Sequence, residues 1–394
     1  MTDTGTQPPQ TPAPPPTGGR LVLLDVLRGA AVLGTLMTNV WIFTAPGAEW
    51  GVLRSGTAEA SFGSFPEAAE SVFTLLANGK FLSLLTILFG VGLAVQYDAA
   101  ARRGQPWPGR YRWRALFLFC EGTLHFVLVF AWDVLMGYAV TALLVAWLLT
   151  RSERARRRVM WWGAGAHLAV MGLLTAALVL SGTEDGGTVP PEIVDLYAHG
   201  SYPEQVAFRL QNAVALRLEP VLTFFLLVSL LLLGVRLYRA GAFGADGTGR
   251  RLRSRMLAWG LGLGLPLNVA AALGGPDLFL LSRYAAAPLL AVGYIGLIGA
   301  LVDRVRRPGP LMTGLACVGR TALSAYVLQN VLCVFAAYGI GLGLAERLGG
   351  TGRPWWVMGL WAGVCLVLTA GSALWLRRFS AGPLEALQKR VLRR

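Results

Sequence analysis

His125 and Glu121 stand four residues apart in one apolar run, and Asp133 follows at the tight turn leading into the next run. Residues four apart share a helix face. A carboxylate close to an imidazole can orient the ring and raise its basicity, which is what a general base requires. His125, Asp133 and Glu121 are therefore the candidate catalytic residues. His167 is alone on its run and reads as a satisfied interior histidine, and His199 lies in a loop.

Other polar residues sit inside apolar runs, where charge is costly and usually faces a bundle interior. Asp25, Arg28 and Asn39 fall within an arc of about 60° on a helix of 3.6 residues per turn. Lys80 opens a run directly after Asn78-Gly79, either as a snorkelling side chain or as a clamp on an anionic substrate or developing oxyanion. Arg320, Thr321, Ser324, Tyr326, Gln329 and Asn330 make one further run unusually polar. Such groups either tie helices together or line a cavity. The candidate substrate-binding residues are thus Asp25, Arg28, Asn39, Lys80, Arg320, Tyr326 and Gln329. A structural Asp25–Arg28 pair is the plainer alternative for those two. The four cysteines lie in apolar runs without metal-ligand spacing, so neither a metal site nor a disulfide framework is expected. Nucleotide-loop, nucleophile-elbow and zinc-helix motifs are absent.

The elements that would position these groups are membrane helices. Of 394 residues, 55% are hydrophobic and only 14% charged, against roughly 25% charged in a soluble domain. That excludes a soluble enzyme, a disordered chain and a fibrous protein. Apolar runs long enough to span a bilayer cover 21–44, 80–98, 115–130, 133–150, 159–181, 219–238, 256–273, 284–302, 311–340 and 355–376. The expectation is an all-α polytopic bundle of about ten spans, with 64–77 as an interfacial or re-entrant helix. Gly260, Gly262 and Gly264 read as close helix packing. The first run reads as a retained helix rather than a cleaved signal peptide.

The formal charge of +14 could suggest nucleic acid. The arginines instead occupy alternate loops. The loops on one side of the ten-span arrangement hold 26 Lys and Arg against six on the other. This asymmetry predicts both termini in the cytoplasm and no nucleic-acid partner. Residues 1–19 carry six prolines and five threonines and read as a disordered tail. Residues 20–380 form the helical domain, and 381–394 a basic amphipathic tail resting on anionic lipid. The long arginine-poor segments 45–79 and 182–218 are candidates for a lid or substrate platform.

Several segments together resemble the YeiB-like family of bacterial inner-membrane proteins, whose C-terminal region is a domain of unknown function. They are the opening from Arg20 through Asp25, Arg28 and Gly29 to Asn39; Lys80-Phe81 through Phe89-Gly90-Val-Gly92; His125 through Asp133 to Tyr138; Tyr197 to Tyr202; Leu233 to Gly241; Gly319-Arg320 through Tyr326 to Gln329; and Gly382-Pro383-Leu-Glu385. The resemblance spans about residues 20–392. It implies a multi-pass protein of the bacterial inner membrane. The family is remotely similar to membrane acyltransferases that share the Asp25–Arg28–Gly29 pattern and use acetyl-CoA, so acyl-CoA is the cofactor this likeness would imply. Their histidine lies near that pattern, whereas this chain has none before His125. Trp132 stands where the family often has glycine, and Glu121 where it often has an apolar residue. The readings that follow are acyl transfer to an envelope glycan, lipid or small metabolite, transport of a small or lipidic solute, and a non-catalytic scaffold.

Overall fold

The computed structural model describes residues 22–55, 61–181, 188–305, 307–350 and 352–393. The expected 1–19 tail lies outside the described residues, as do parts of the two long arginine-poor segments. Every regular element among the described residues is helical. Six stretches are individually long and apolar enough to cross a bilayer: Val22–Thr44, Phe65–Arg102, Glu153–Ser181, Gly247–Leu273, Pro276–Arg304 and Arg353–Trp375. The pair Pro310–Arg320 and Ala322–Ala337 makes a seventh if counted as one span bent by 96°. Leu135–Leu148 is apolar but only 14 residues long. Tyr111–Leu128 is diluted by Arg112, Arg114 and Glu121, and Phe224–Arg239 has 16 residues. A helix of 14 to 16 residues rises only about 21–24 Å, which is why these elements fall short of a full crossing by length alone.

Two breaks have local causes. Gly79 adopts φ +75, and the Arg283 carbonyl lies where its side chain would be. Only glycine fits there, so the Phe65–Ala77 helix stops and the Lys80–Arg102 helix starts afresh. At Thr321 the hydroxyl bonds to the Cys317 carbonyl at 3.2 Å and to the Ser372 hydroxyl at 2.9 Å. The new helix beyond it exposes its first N–H groups, and Glu385 from the C-terminal helix Pro383–Arg393 accepts them. Its Oε1 takes the Leu323 N–H at 2.8 Å, and the Ser324 hydroxyl donates to Oε2 at 2.5 Å. A carboxylate at a helix N-terminus is favoured by the dipole as well as by these bonds.

Glycines set the closest helix pairs, as small residues do between apolar helices. Gly29 of the first helix abuts the Leu315 backbone, and Gly319 abuts the Asp25 carbonyl. Gly90 and Gly234 join Lys80–Arg102 to Phe224–Arg239 in the same way. Gly260 and Gly264 pack on the backbone of Gly293 and Leu290, whereas a Cβ on Gly262 would meet nothing within 4 Å. Of the three glycines expected at that packing surface, Gly262 faces away, because a residue two positions on lies on the opposite side of a helix.

The two arginine-poor segments fold against each other. Glu49, on the helix Ala48–Ser55, is completely buried, and so is Arg209 on Tyr202–Gln211. Arg209 Nε donates to Glu49 Oε2 at 2.9 Å, Tyr197 donates its hydroxyl to the same oxygen at 2.9 Å, and the Ala131 N–H reaches Oε1 at 3.2 Å. A buried pair satisfied on this many sides holds its elements in one register, because losing either partner strands a charge. Nearer the surface, His199 bridges Asp195 at 2.7 Å and Glu346 at 3.1 Å.

Valine in place of Gly90 or Gly319 is expected to lower the melting temperature in detergent, with an overpacking cost of about 1–3 kcal/mol. Gly262→Val is expected to leave it unchanged. The bond to Asp195, and then the charge of Glu346, raise the His199 pKa above its ordinary value. This bridge is therefore complete below the unfolded imidazole value of about 6.5. It is lost as pH rises through the higher folded value. Hydrogen exchange over 191–200 is expected to quicken across that interval in the wild type and to be pH-independent, beyond intrinsic exchange, in His199→Asn.

Candidate functional site

The first helix, the start of Lys80–Arg102, the two arginine-poor segments and the stretch 271–284 enclose a cavity of about 560 Å³. This is within the range of small-molecule sites. Trp41, Ile42, Leu53, Leu75, Leu82, Trp132 and Phe279 supply apolar wall, and Thr35, Thr38, Asn39, Thr74 and Asn78 supply polar groups. Of the residues singled out from the sequence, Asn39, Lys80 and Tyr326 line it.

Its charged wall residues are Glu70, Lys80, Glu219, Arg283 and Arg353, three cations against two carboxylates. Arg283 is consumed locally. It donates to Asn78 Oδ1 at 2.5 Å and to Glu219 Oε1 at 3.0 Å, and the Tyr284 hydroxyl donates to the same glutamate oxygen at 2.6 Å. Arg353 reaches the Thr44 carbonyl at 3.3 Å. Lys80 differs from both. The residue is 0% exposed, and its Nζ has no hydrogen-bond partner among the described residues. A lone buried charge is costly, so an amine so placed either sheds its proton or is joined by an anion. Arg283 and Tyr284 enter the wall from the π-helical turn Ser282–Ala286. Such turns redirect side chains and occur often at functional sites. Nothing local in the sequence announces a π turn, so Arg283 carries no signal of this role.

His125 and Asp133 lie one layer behind this wall. His125 is 3% exposed, and Asp133 is 2% exposed. Asn330 Nδ2 is 3.1 Å from His125 Nε2. With the amide donating, the imidazole proton sits on Nδ1, which faces Asp133 Oδ1 at 3.7 Å. Asp133 also has a structural task. Its Oδ2 accepts the N–H groups of Leu135 at 2.9 Å and Met136 at 3.3 Å, capping the Leu135–Leu148 helix. Arg217 donates to the Asp133 carbonyl at 2.7 Å and lies over the Phe126 ring at 4.5 Å. Tyr326 connects the layers: it lines the cavity, its hydroxyl is 3.5 Å from Asp133 Oδ1, and its ring meets His125 edge-on at 5.3 Å. Gln329, one turn further on, approaches the Thr35 hydroxyl at 3.5 Å, and Thr35 is itself on the cavity wall.

The remaining candidates stand apart from the cavity wall. Asp25 and Arg28 form an i, i+3 ion pair at 3.7 Å. Arg320 ends the Pro310–Arg320 helix at the bend. Glu121 shares a helix with His125 but makes no hydrogen bond to it among the described residues, and its Oε2 is buried without a partner. The group nearest His125 is therefore Asn330, Asp133 and Tyr326. Arg217 lies in a loop and Glu219 at the first position of the 219–238 run, and neither carries a local signal of its role, since their partners lie more than 60 positions away. Among the described residues, no group of three or more His, Cys, Asp or Glu is placed to hold a metal ion.

A family model described as "Protein of unknown function (DUF418)" matches residues 237–394. The chain is 26% identical over 392 residues to "Uncharacterized protein YxaH" of Bacillus subtilis (strain 168), covering 94% of each. It is 27% identical over 392 residues to "Uncharacterized protein YeiB" of Escherichia coli (strain K12), covering 94% of this chain and 96% of that one. Acyl transfer is named in none of these descriptions. Together they extend the likeness carried by the motifs to nearly the whole length.

Proposed function

We propose that this YeiB-like membrane protein admits an amphiphilic substrate bearing an anionic group to its cavity and completes an acyl transfer there. The observation that carries the reading is a buried Lys80, its Nζ without a hydrogen-bond partner among the described residues, on the wall of a largely apolar cavity backed by Tyr326, Asp133 and His125. The acceptor is a hydroxyl or amine of an envelope glycan, lipid or small metabolite. The donor is an acyl thioester of the acyl-CoA class, which enters from the cytoplasmic side while the acceptor enters from the arginine-poor side. The acceptor's lone pair attacks the thioester carbonyl carbon and the carbon–sulfur bond breaks. The acceptor's proton passes to Tyr326 as Tyr326 gives its own to Asp133, and the leaving thiolate is reprotonated by the reverse path. Lys80 stabilises the oxyanion or the donor's phosphate charge. His125 faces the carboxylate at 3.7 Å, beyond hydrogen-bond length, and packs beside Tyr326, while Asn330 holds the ring. Arg28, the other cation considered for the oxyanion role, is engaged with Asp25.

The arrangement we favour has ten spans with both termini in the cytoplasm of a bacterial inner membrane. It is supported by the 26-to-6 partition of Lys and Arg. The shorter helices Tyr111–Leu128, Leu135–Leu148 and Phe224–Arg239 complete the count. The Pro383–Arg393 helix rests on anionic lipid at the inner face. One feature favours transport of the same substrate as a second reading: an ionisable residue inside an apolar helix on a cavity wall, as Lys80 is, also marks solute paths.

Comparative mass spectrometry of envelope lipids, glycans and metabolites separates the two. The strains are a deletion, the restored wild type, and restored Lys80→Met, Tyr326→Phe and His125→Ala at equal protein level. One acylated product is expected to vanish in the deletion and to fall on the order of 10²-fold in Lys80→Met and Tyr326→Phe. An unchanged covalent inventory with a redistributed anionic solute would replace acyl transfer by transport.

A further inference from the structure

The helix Glu153–Ser181 has two dissimilar faces. Met160, Gly163, His167 and Met171 are buried, and the Ser229 hydroxyl reaches the Met160 carbonyl at 3.0 Å. On the other face, Arg157, Arg158, Trp161, Trp162 and Gly165 line a shallow pocket. Trp161 and Trp162 are 63% and 79% exposed. Two neighbouring arginines are engaged elsewhere: Arg156 turns back on the Leu149 and Arg151 carbonyls, and Arg151 stacks on Trp147. Arg157 and Arg158 are exposed and make no ion pair among the described residues. Two bare indoles beside two bare guanidiniums suit a boundary that is apolar on one side and anionic on the other.

The pocket continues into a track. Gly165, Ala169, Gly172 and Ala176 follow one another on a single face. A Cβ on Gly165 or Gly172 would meet nothing within 4 Å, so the track is open. From Gly165 to Ala176 it runs about 16 Å at 1.5 Å per residue.

We propose that this face is a binding site for an anionic phospholipid, with the phosphate on Arg157 and Arg158, the glycerol region against the two indoles, and one acyl chain along the track. Charge selects this occupant over a second copy of the chain. Two such faces related by a two-fold axis would bring arginine against arginine, whereas a phosphate neutralises both and accepts their forked donors. The site is separate from the cavity and does not depend on the reading given to it.

The test uses the full chain in a neutral detergent, titrated with phosphatidylglycerol or phosphatidylcholine and read by native mass spectrometry. The wild type is expected to retain phosphatidylglycerol preferentially. In R157Q/R158Q that retention falls about thirtyfold, from two surface arginines at their usual strength toward anionic lipid, and the preference disappears. Gly165→Leu keeps the charges but fills the track, and weakens both lipids alike. Equal retention of phosphatidylglycerol by the wild type and R157Q/R158Q would overturn the proposal. So would a dimer that R157Q/R158Q dissolves with no change in bound lipid.

Discussion

Charge withdrawn from water has to be answered where it stands, and the packing of this protein is organised around that demand. Glu49 is met by Arg209 and Tyr197, Asp303 by the forked donors of Arg253, and Glu219 by Arg283 and Tyr284. Each pair joins segments far apart in sequence. For the completely buried Glu49–Arg209 pair, removing one partner strands the other in a low-dielectric interior, a loss of about 3–5 kcal/mol, whereas Asp303 and Glu219 keep some contact with the surface and constrain their neighbours less. Against that pattern, Lys80 is the buried cation whose Nζ meets no hydrogen-bond partner among the described residues, and it borders a cavity. The same physics that makes the other charges structural supports the proposal that this one receives an anion.

The site depends on features remote from it. Tyr326, Gln329 and Asn330 ride on a helix that begins at the Thr321 bend, and the bend's free N–H groups are closed by Glu385 from the far end of the chain. The Gly382-Pro383-Leu384-Glu385 segment thus has a physical role: it starts the last helix and delivers a carboxylate to the helix that carries the site. The Leu384 N–H returns a bond to the Ser324 hydroxyl at 3.0 Å, so the contact is reciprocal. The glycine pairs Gly29–Leu315 and Gly319–Asp25 press that region onto the first helix. This gives the Asp25–Gly29 pattern a packing role independent of any chemistry.

What could be read from the chain alone was local. Apolar runs located the long helices but not Ala48–Ser55, Pro191–Ala198 or Tyr202–Gln211, nor the bend at Thr321 inside the 311–340 run; the Asn78-Gly79 break marked the start at Lys80, and helical spacing put Tyr326 and Gln329 near one another. The approach of His125 to Asp133 was also legible, since only a tight turn separates them. The partners that decide their roles were not. Asn330 on His125, Arg217 on Asp133 and Arg283 beside Glu219 are contacts between helices, set by crossing geometry that no short spacing encodes. Asp133 looked like a catalytic orienter and also proves to cap a helix. Glu121 shares a face with His125 but the ring turns to Asn330 instead, because an amide can satisfy a neutral imidazole without the cost of another buried charge.

We place the cavity, lined by both arginine-poor segments and by Lys80, on the outer side of the membrane. Thr38 lines that cavity, and its replacement by cysteine, in a chain whose four natural cysteines are changed to alanine, gives a direct readout with a membrane-impermeant maleimide. The account predicts labelling of intact cells without permeabilisation, reduced when Lys80 is also replaced by a bulkier tryptophan that fills the wall. Labelling that requires permeabilised cells would place the cavity on the cytoplasmic side and contradict it.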